Sequence, residues 1–463
     1  MAKPKSVARK TALGEVDAEV LAFTVGKDTE LDLELAEWDC IGSAAHVTML
    51  SRMPVKPPIF TARQRGRVVA ELSGLADRAR RREFRIEVAD QDVHMAVERV
   101  LTRTLGELGR RIHTGRSRND QVAVDLRLYG KAQLLGMIEE AVALAEALTK
   151  WARKNVKVPM VGRTHMQPAM PSSVGLWASA HAESLLDDVA LMIGAYELND
   201  QCPLGAAASY GVPLPIDREL TARLLGFSRP VGNVLYANNA RGKVESIILF
   251  AAAQAMLTLS RLAADLILYS MPEFGYFAFP PEYGTGSSIM PQKNTPDVLE
   301  LVRAKAAAVA AQAFAVMETL RGLPGGYNRD LQATKEPFMA GIATTRACLR
   351  ILGRLAARMT ADRRALLDGF TPAVFATDRA LELVAGGMPF RDAYRRVKES
   401  LGELEHSDPV AAALRKRHLG APGGLDFEGM RLRMGAGREF VREEQRHFRR
   451  AVSSLLGAPY PRA

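Results

Sequence analysis

The sequence predicts an all-α protein built round a long helical bundle, and three observations carry that prediction. Proline is missing from four long windows: Pro58 to Pro159, Pro230 to Pro272, Pro296 to Pro324, and Pro337 to Pro372. Those windows are rich in Ala, Leu, Glu and Arg, which lose least on entering a helix. β-Branched alternation, the mark of strands, is nearly missing. Finally, Leu299, Val302, Ala306, Val309, Ala313, Val316 and Leu320 recur at spacings of three and four. That is a seam of three heptads, burying one stripe against neighbouring helices at a shallow crossing angle, with small alanines allowing close approach. The run Val244–Leu268 is apolar on more than one face, as in a helix surrounded by others. Such a bundle is expected to be completed by other subunits.

Composition bounds the rest. The 463 residues exceed one ordinary domain, and 48% hydrophobic with 25% charged residues excludes wholesale disorder. The net charge of +10 favours anionic partners. An aromatic content of 6% and the lack of a recognition motif argue against nucleic acid. Cys40, Cys202 and Cys348 are scattered, which points to a reducing, cytoplasmic setting rather than a disulfide framework. No membrane span is expected, because the longest uncharged helical runs, Ser246–Ser260 and Ala306–Met317, fall short of the roughly 18 to 20 residues required.

Along the chain, the basic stretch MAKPKSVARKTALG lacks the apolar core of a signal peptide and reads as an unstructured tail. Breaks fall at Arg52–Pro58, Gln201–Pro215, Pro272–Pro296 and Leu323–Pro337. After about Asp368 the long apolar repeats give way to shorter, Arg-rich amphipathic segments with Gly-rich joints.

Four polar segments interrupt the helical pattern. His113–Gln121 (HTGRSRNDQ) is a donor-rich turn before a helix, suited to gripping carboxylates or to capping in solvent. Gly162–Pro168 (GRTHMQP) sets a hydroxyl donor, Thr164, beside a histidine able to move a proton near neutral pH. Gly284–Lys293 (GTGSSIMPQK) has glycines that let a loop open and close, Ser287 and Ser288 at its tip, and Lys293 leading into the heptad helix. Tyr327–Glu336 (YNRDLQATKE) reads as a mixed-charge helix start whose Tyr327, Gln332 and Lys335 could line a polar pocket. The eight histidines show no H-x-x-x-H or H-E-x-x-H spacing, so no metal is expected. No G-x-G-x-x-G follows a strand, so no dinucleotide is expected either.

Taken together these segments resemble argininosuccinate lyase, within the fumarase/aspartase superfamily. GSSIMPQK is similar to the superfamily signature G-S-S-x-M-P-x-K-x-N. HTGRSRNDQV, GRTHMQP, YNRDLQATKE, DCIGSAAHVTML and FATDRALELVAGGMPFRDAY are similar to the lyase itself, from about Glu37 to Tyr394. The resemblance implies a three-domain, all-helical homotetramer with a central bundle and active sites shared between subunits, divided here at 1–114, 115–368 and 369–463. It implies Ser287 as the base, His165 as general acid or its partner beside Thr164, Glu300 as the group orienting that histidine, and Lys293 as the cation meeting the intermediate. It implies that Ser43, Arg118, Asn119, Tyr327, Gln332 and Lys335 hold the substrate. No cofactor or metal is required, and the partner is a small anionic N-substituted aspartate, with neither nucleic acid nor membrane.

Two stretches depart from the family pattern. Thr295 stands where the signature has a substrate-binding asparagine, with Asn294 adjacent but about 100° away on a helix. Tyr236 and Ala240 replace two acids before the retained Arg241. The competing expectations are a lyase for a different N-substituted aspartate and a catalytically weakened, crystallin-like homologue.

Overall fold

The computed structural model describes residues 8–11 and 14–461. Of the N-terminal stretch expected as an unstructured tail, residues 1–7, 12 and 13 lie outside the described residues. Ala8–Thr11 pairs antiparallel with Gly14–Asp17 rather than trailing as coil.

The helices of eight residues or more are α1 (Ala18–Val25), α2 (Ala36–Leu50), α3 (Ala62–Arg80), α4 (Val93–Leu105), α5 (Arg118–Lys154), α6 (Val174–Asn199), α7 (Lys243–Ser270), α8 (Asp297–Leu320), α9 (Lys335–Ala356), α10 (Ala376–Ala385), α11 (Phe390–Glu399) and α12 (Phe427–Leu456). The all-α expectation holds. Most sheets pair strands of only two residues; the longest is one antiparallel hairpin, β1 (Pro159–Thr164) with β2 (Gln167–Ser173). Three of the expected breaks lie between these helices, and the fourth, Leu323–Pro337, runs into the first turn of α9.

The bundle is built on α5, 37 residues and so about 55 Å long. It packs along α6, α9, α12 and α2, while α7 packs on α8, α6 and α9. On α8 the heptad seam is the buried stripe: Leu299, Val302, Val309, Ala313 and Val316 face inward. Two residues of the predicted seam, Ala306 and Leu320, are only half-buried.

Helix α7 corrects one expectation. At 28 residues it extends beyond the uncharged run read from the sequence, and by length and composition it is apolar enough to cross a membrane. In the structure 56% of its most apolar window is buried, in the middle of the bundle.

The C-terminal region has two parts. Ala380, Ala393 and Val397 of α10 and α11 form a small core of their own, whereas α12 runs back along α5 and α6. A further small core, Phe370, Val374, Phe375 and Ala412, includes Val161 of β1, and Lys416 donates to the Pro171 carbonyl of β2 at 2.8 Å. The C-terminal region thereby anchors the hairpin that carries His165.

Candidate active site

The first turn of α5 is built by local chemistry. Ser117 caps the helix, accepting from the Asn119 N–H, and Asp120 returns a carboxylate oxygen to the Ser117 N–H at 2.9 Å. The other oxygen of buried Asp120 accepts from the Gly205 and Ala207 N–H groups. This fixes Arg118 and Asn119 at the rim of an open cavity of about 110 Å³.

Five segments far apart in sequence line that cavity: Asp28 and Asp32; Gln91, Asp92 and His94; Arg118, Asn119 and Val122; Arg241; and Tyr327, Arg329, Gln332 and Lys335. Arg118 donates to Asp92 at 2.7 Å. Gln332 and Arg329 donate to the Thr24 carbonyl at 2.9 and 2.7 Å, fastening the end of α1 over the Tyr327–Lys335 turn. Lys335, almost fully buried, sits 2.8 Å from Asp28 and 2.6 Å from Asp32. Arg241 is buried too; it donates to the Leu331 carbonyl and lies 5.8 Å from the Tyr327 ring centre. Five of the expected substrate-holding residues, Arg118, Asn119, Tyr327, Gln332 and Lys335, therefore share one cavity.

The remaining expected residues line no part of it. Ser43 is buried and accepts a 3.0 Å hydrogen bond from Arg116. Thr164 and His165 are exposed at the tip of the β1–β2 hairpin. Thr164 pairs with Gln167, so His165 and Met166 form a two-residue turn, with φ of 54° and 62°. Neither is glycine, and the left-handed region costs about 1 to 2 kcal/mol per residue; the turn leaves His165 exposed. In the third segment, Thr285–Gly286 pairs antiparallel with Asn294–Thr295, closing a loop around Ser287. The approach is tight: a Cβ on Gly284 would lie 2.4 Å from Asn294 Oδ1. Ser287 Oγ accepts from the Met290 N–H at 3.1 Å, and Lys293 is exposed. Thr295 Oγ1 lies 2.9 Å from the Thr285 carbonyl and 2.8 Å from Asp297, so this hydroxyl holds the base of the loop. Glu300 is exposed on α8, and among the described residues it forms no ion pair with His165.

Behind the cavity lies a buried polar cluster that sequence reading missed. His94 Nδ1 is 2.7 Å from Asp39 and 3.7 Å from Asp125. These three offer ligand atoms within 4.8 Å of one another, the donor set here that could converge on a metal ion. His94 and Asp39 pair with each other, whereas among the described residues neither Asp125 oxygen has a hydrogen-bond partner. Burial opposes charging His94, but Asp39 outweighs it and raises the imidazole pKa. Burial also works against the Asp39 carboxylate, yet His94 and Arg116 lower its pKa. Burial together with Asp39 pushes Asp125 well above the carboxylate range. The raised His94 pKa has a stability consequence: the pair's contribution is complete below the ordinary histidine pKa of about 6.5 and is lost as pH rises through the raised value. The urea midpoint deficit of His94→Gln is therefore expected to be largest near pH 6 and to shrink towards pH 9. An equal deficit at all pH would assign the loss to packing alone.

Sequence reading also missed Asp28, Asp32, Asp92 and Arg329. Their signal lies in pairing across the fold; Arg241 alone was visible, as the residue kept beside two altered positions.

Comparisons with known proteins agree on what this architecture is. Residues 42–311 match a protein family described as Lyase. Argininosuccinate lyase of Sorangium cellulosum is 42% identical over 421 residues, covering 91% of this chain and 97% of that protein. The argininosuccinate lyase of Thermotoga neapolitana is 40% identical, covering 84% and 96%. Among solved structures, EDDS lyase in complex with formate superposes with a TM-score of 0.81 at 22% identity over 98% of this chain and 97% of that one. A class II fumarase from Schistosoma mansoni superposes at 0.68 and 15% identity, covering 89% and 100%. The fold is thus the superfamily's, and at about 40% identity over most of its length the chain belongs to the argininosuccinate lyase family of the fumarase/aspartase superfamily.

Proposed function

We propose that this protein is a carbon–nitrogen lyase that eliminates fumarate from argininosuccinate and releases arginine. The observation that carries this reading is the cavity in which Arg118, Asn119, Tyr327, Gln332 and Lys335 converge, in a chain about 40% identical to argininosuccinate lyases. Neither a different aspartate adduct nor a weakened, crystallin-like role is favoured by those relatives. The test is direct: fumarate absorbance should appear when the purified protein meets argininosuccinate. No signal, with fumarate produced from another N-substituted aspartate, would replace this substrate.

The likeness to argininosuccinate lyases assigns the roles, and the chemistry explains them. The carbon acid is very weak, and removing its proton builds a doubly charged aci-carboxylate. Fixed cations and donors must meet that charge, each well-placed donor contributing about 3 to 4 kcal/mol. Ser287 removes the proton, Lys293 meets the charge, and Thr164 and Asn119 donate to it. His165, oriented by Glu300, acts as acid or as its partner as the C–N bond breaks. The guanidinium leaves as a cation and asks little of that acid. A serine serves as base only when shielded from water among positive charge, which explains a loop that closes beside Lys293. The same likeness assigns Ser43, Asn294 and Thr295 to the substrate-holding set, and Thr295 also ties the loop base.

The catalytic assembly is a homotetramer of three-part subunits (1–114, 115–368 and 369–463), with α12 packed on the central part. Two facts support it. The Ser287 loop and the His165 hairpin lie outside the cavity of their own chain, and α7 and α8 keep large apolar side chains uncovered, Leu257 at 56% and Phe314 at 64% exposure. Mixing Ser287→Ala protein with His165→Asn protein after mild dissociation is expected to restore part of the activity, because some sites then draw only intact segments. A competent monomer in sedimentation would refute shared sites. Its three buried, unpaired cysteines fit a reducing compartment, the cytoplasm.

A further inference from the structure

A second and larger cavity opens between α2, α5, α6 and α12, about 210 Å³ against about 110 Å³ for the substrate cavity. The two share no lining residue. The walls of the second are mainly apolar and mainly flat: Trp38 of α2, Leu135 of α5 and Phe448 of α12, with Tyr460 beyond the last helix. Phe448 stands between two other rings, its centroid 6.1 Å from that of Trp38 and 5.8 Å from that of Tyr460. The Tyr460 wall is tied down at both ends of the residue. Its N–H donates to Ser453 Oγ at 2.9 Å and its hydroxyl to Glu37 at 2.7 Å. The hollow is therefore held open by the fold.

Charge around it is one-sided. The acids bonded to the wall residues are already engaged, Glu37 by Tyr460 and Arg80 and Glu444 by the Tyr196 hydroxyl at 2.8 Å. Lys131, on the lining and almost fully buried, pairs with Asp200 and donates to the Gly226 carbonyl at 2.8 Å. Arg449 also lies on the lining but is exposed; it acts on the Tyr460 phenol and forms no ion pair among the described residues. Arg442, Arg446 and Arg450 are exposed on α12 at spacings that set them on the same side of the helix as Arg449. Among the described residues these three form no ion pair either, and Glu439 and Glu443 are the exposed acids interspersed with them. Four guanidinium groups against two carboxylates leave this side of α12 positive.

Size and charge together select a ligand. An apolar cavity of about 150 Å³ suffices for a benzene ring, so this one has room for a six-membered ring and a short chain. Ring walls favour a ring, through edge-to-face and offset contacts. A guanidinium on the lining favours a carboxylate, which its planar fork can grip. We propose that this cavity is a second ligand site, for a small free aromatic carboxylate, with its ring among Trp38, Phe448 and Tyr460 and its carboxylate accepting from Arg449. The site is independent of the elimination reaction, because none of its residues lines the substrate cavity.

The test is calorimetric titration of the full-length protein with phenylacetate, its neutral isostere phenylacetamide, and hexanoate, which has the charge without the ring. Phenylacetate should saturate one site per chain and bind about fivefold or more tighter than phenylacetamide, as expected for an ion pair at a partly solvated mouth. It should also exceed hexanoate by about threefold. Arg449→Gln should erase most of the margin over phenylacetamide while leaving phenylacetamide itself unchanged, and Arg449→Lys should restore part of it. Ala132→Phe, which fills the hollow from its half-buried wall position, should abolish binding of all three at an unchanged melting temperature. No saturable binding of phenylacetate would overturn the proposal. So would equal affinity for phenylacetate and phenylacetamide, hexanoate binding as tightly as phenylacetate, or a margin untouched by Arg449→Gln. Binding that survives in a natively melting Ala132→Phe would place the ligand elsewhere and overturn it too. Should Ala132→Phe fail to fold, the two Arg449 variants decide alone.

Discussion

Ser287→Ala is expected to lose elimination by at least about a hundredfold in kcat while keeping its assembly and its affinity for arginine, as removal of a proton-transfer group should. The structural basis is the independence of the loop from the substrate cavity. Among the described residues, Ser287 Oγ is engaged only by N–H groups of its own loop, Ile289 and Met290, so its loss disturbs neither the bundle nor the Lys335 end. The loop base is held separately by Thr285, Thr295 and Asp297, whose hydroxyl and carboxylate groups form one hydrogen-bonded knot. Fumarate release, calorimetric arginine binding and sedimentation separate the outcomes. Turnover within a few-fold of native would reject Ser287 as the base. Loss of arginine binding together with turnover would mean that the loop shapes the cavity.

Lys335→Met should be the most damaging substitution for stability. It leaves Asp28 and Asp32 facing one another with no ammonium between them, and Asp32 is 1% exposed. Removing one partner of a buried pair typically costs about 3 to 5 kcal/mol, because the survivor remains buried and uncompensated. The urea midpoint should fall accordingly. Lys335→Met combined with Asp32→Asn should recover part of the loss, since one of the stranded charges is then gone. A double variant no better than the single one would show that the lysine stem, not its charge, holds the site together.

Much of this architecture was legible in the sequence because it follows from periodic burial. The seam on α8 reads as three and four residues alternately, and its inward face is that stripe. The turn at Ser117–Asp120 likewise announces a helix start through capping chemistry that is local by nature. The β1–β2 hairpin was not legible. It is rich in proline, bulged between Gly162 and Arg163, and turns through His165 and Met166, which carry none of the usual hairpin signals. Asp28 and Asp32 were missed for another reason. Their meaning comes from Lys335, some three hundred residues away, and an aspartate in a polar segment looks the same whether it faces solvent or a buried ammonium. Ser43 was read from family likeness alone; in its own chain it is buried and accepts a hydrogen bond from Arg116.

Helix α7 carries a consequence for how the molecule is made. The helices that cover most of it, α8 and α9, are encoded after it, and α6 and α5 before. During synthesis the most apolar segment of the chain therefore emerges with half of its shelter still untranslated, and to a membrane-insertion machinery it has the length and composition of a span. Its successful delivery to the bundle becomes a race between elongation through residue 356 and capture by lipid or by other nascent chains.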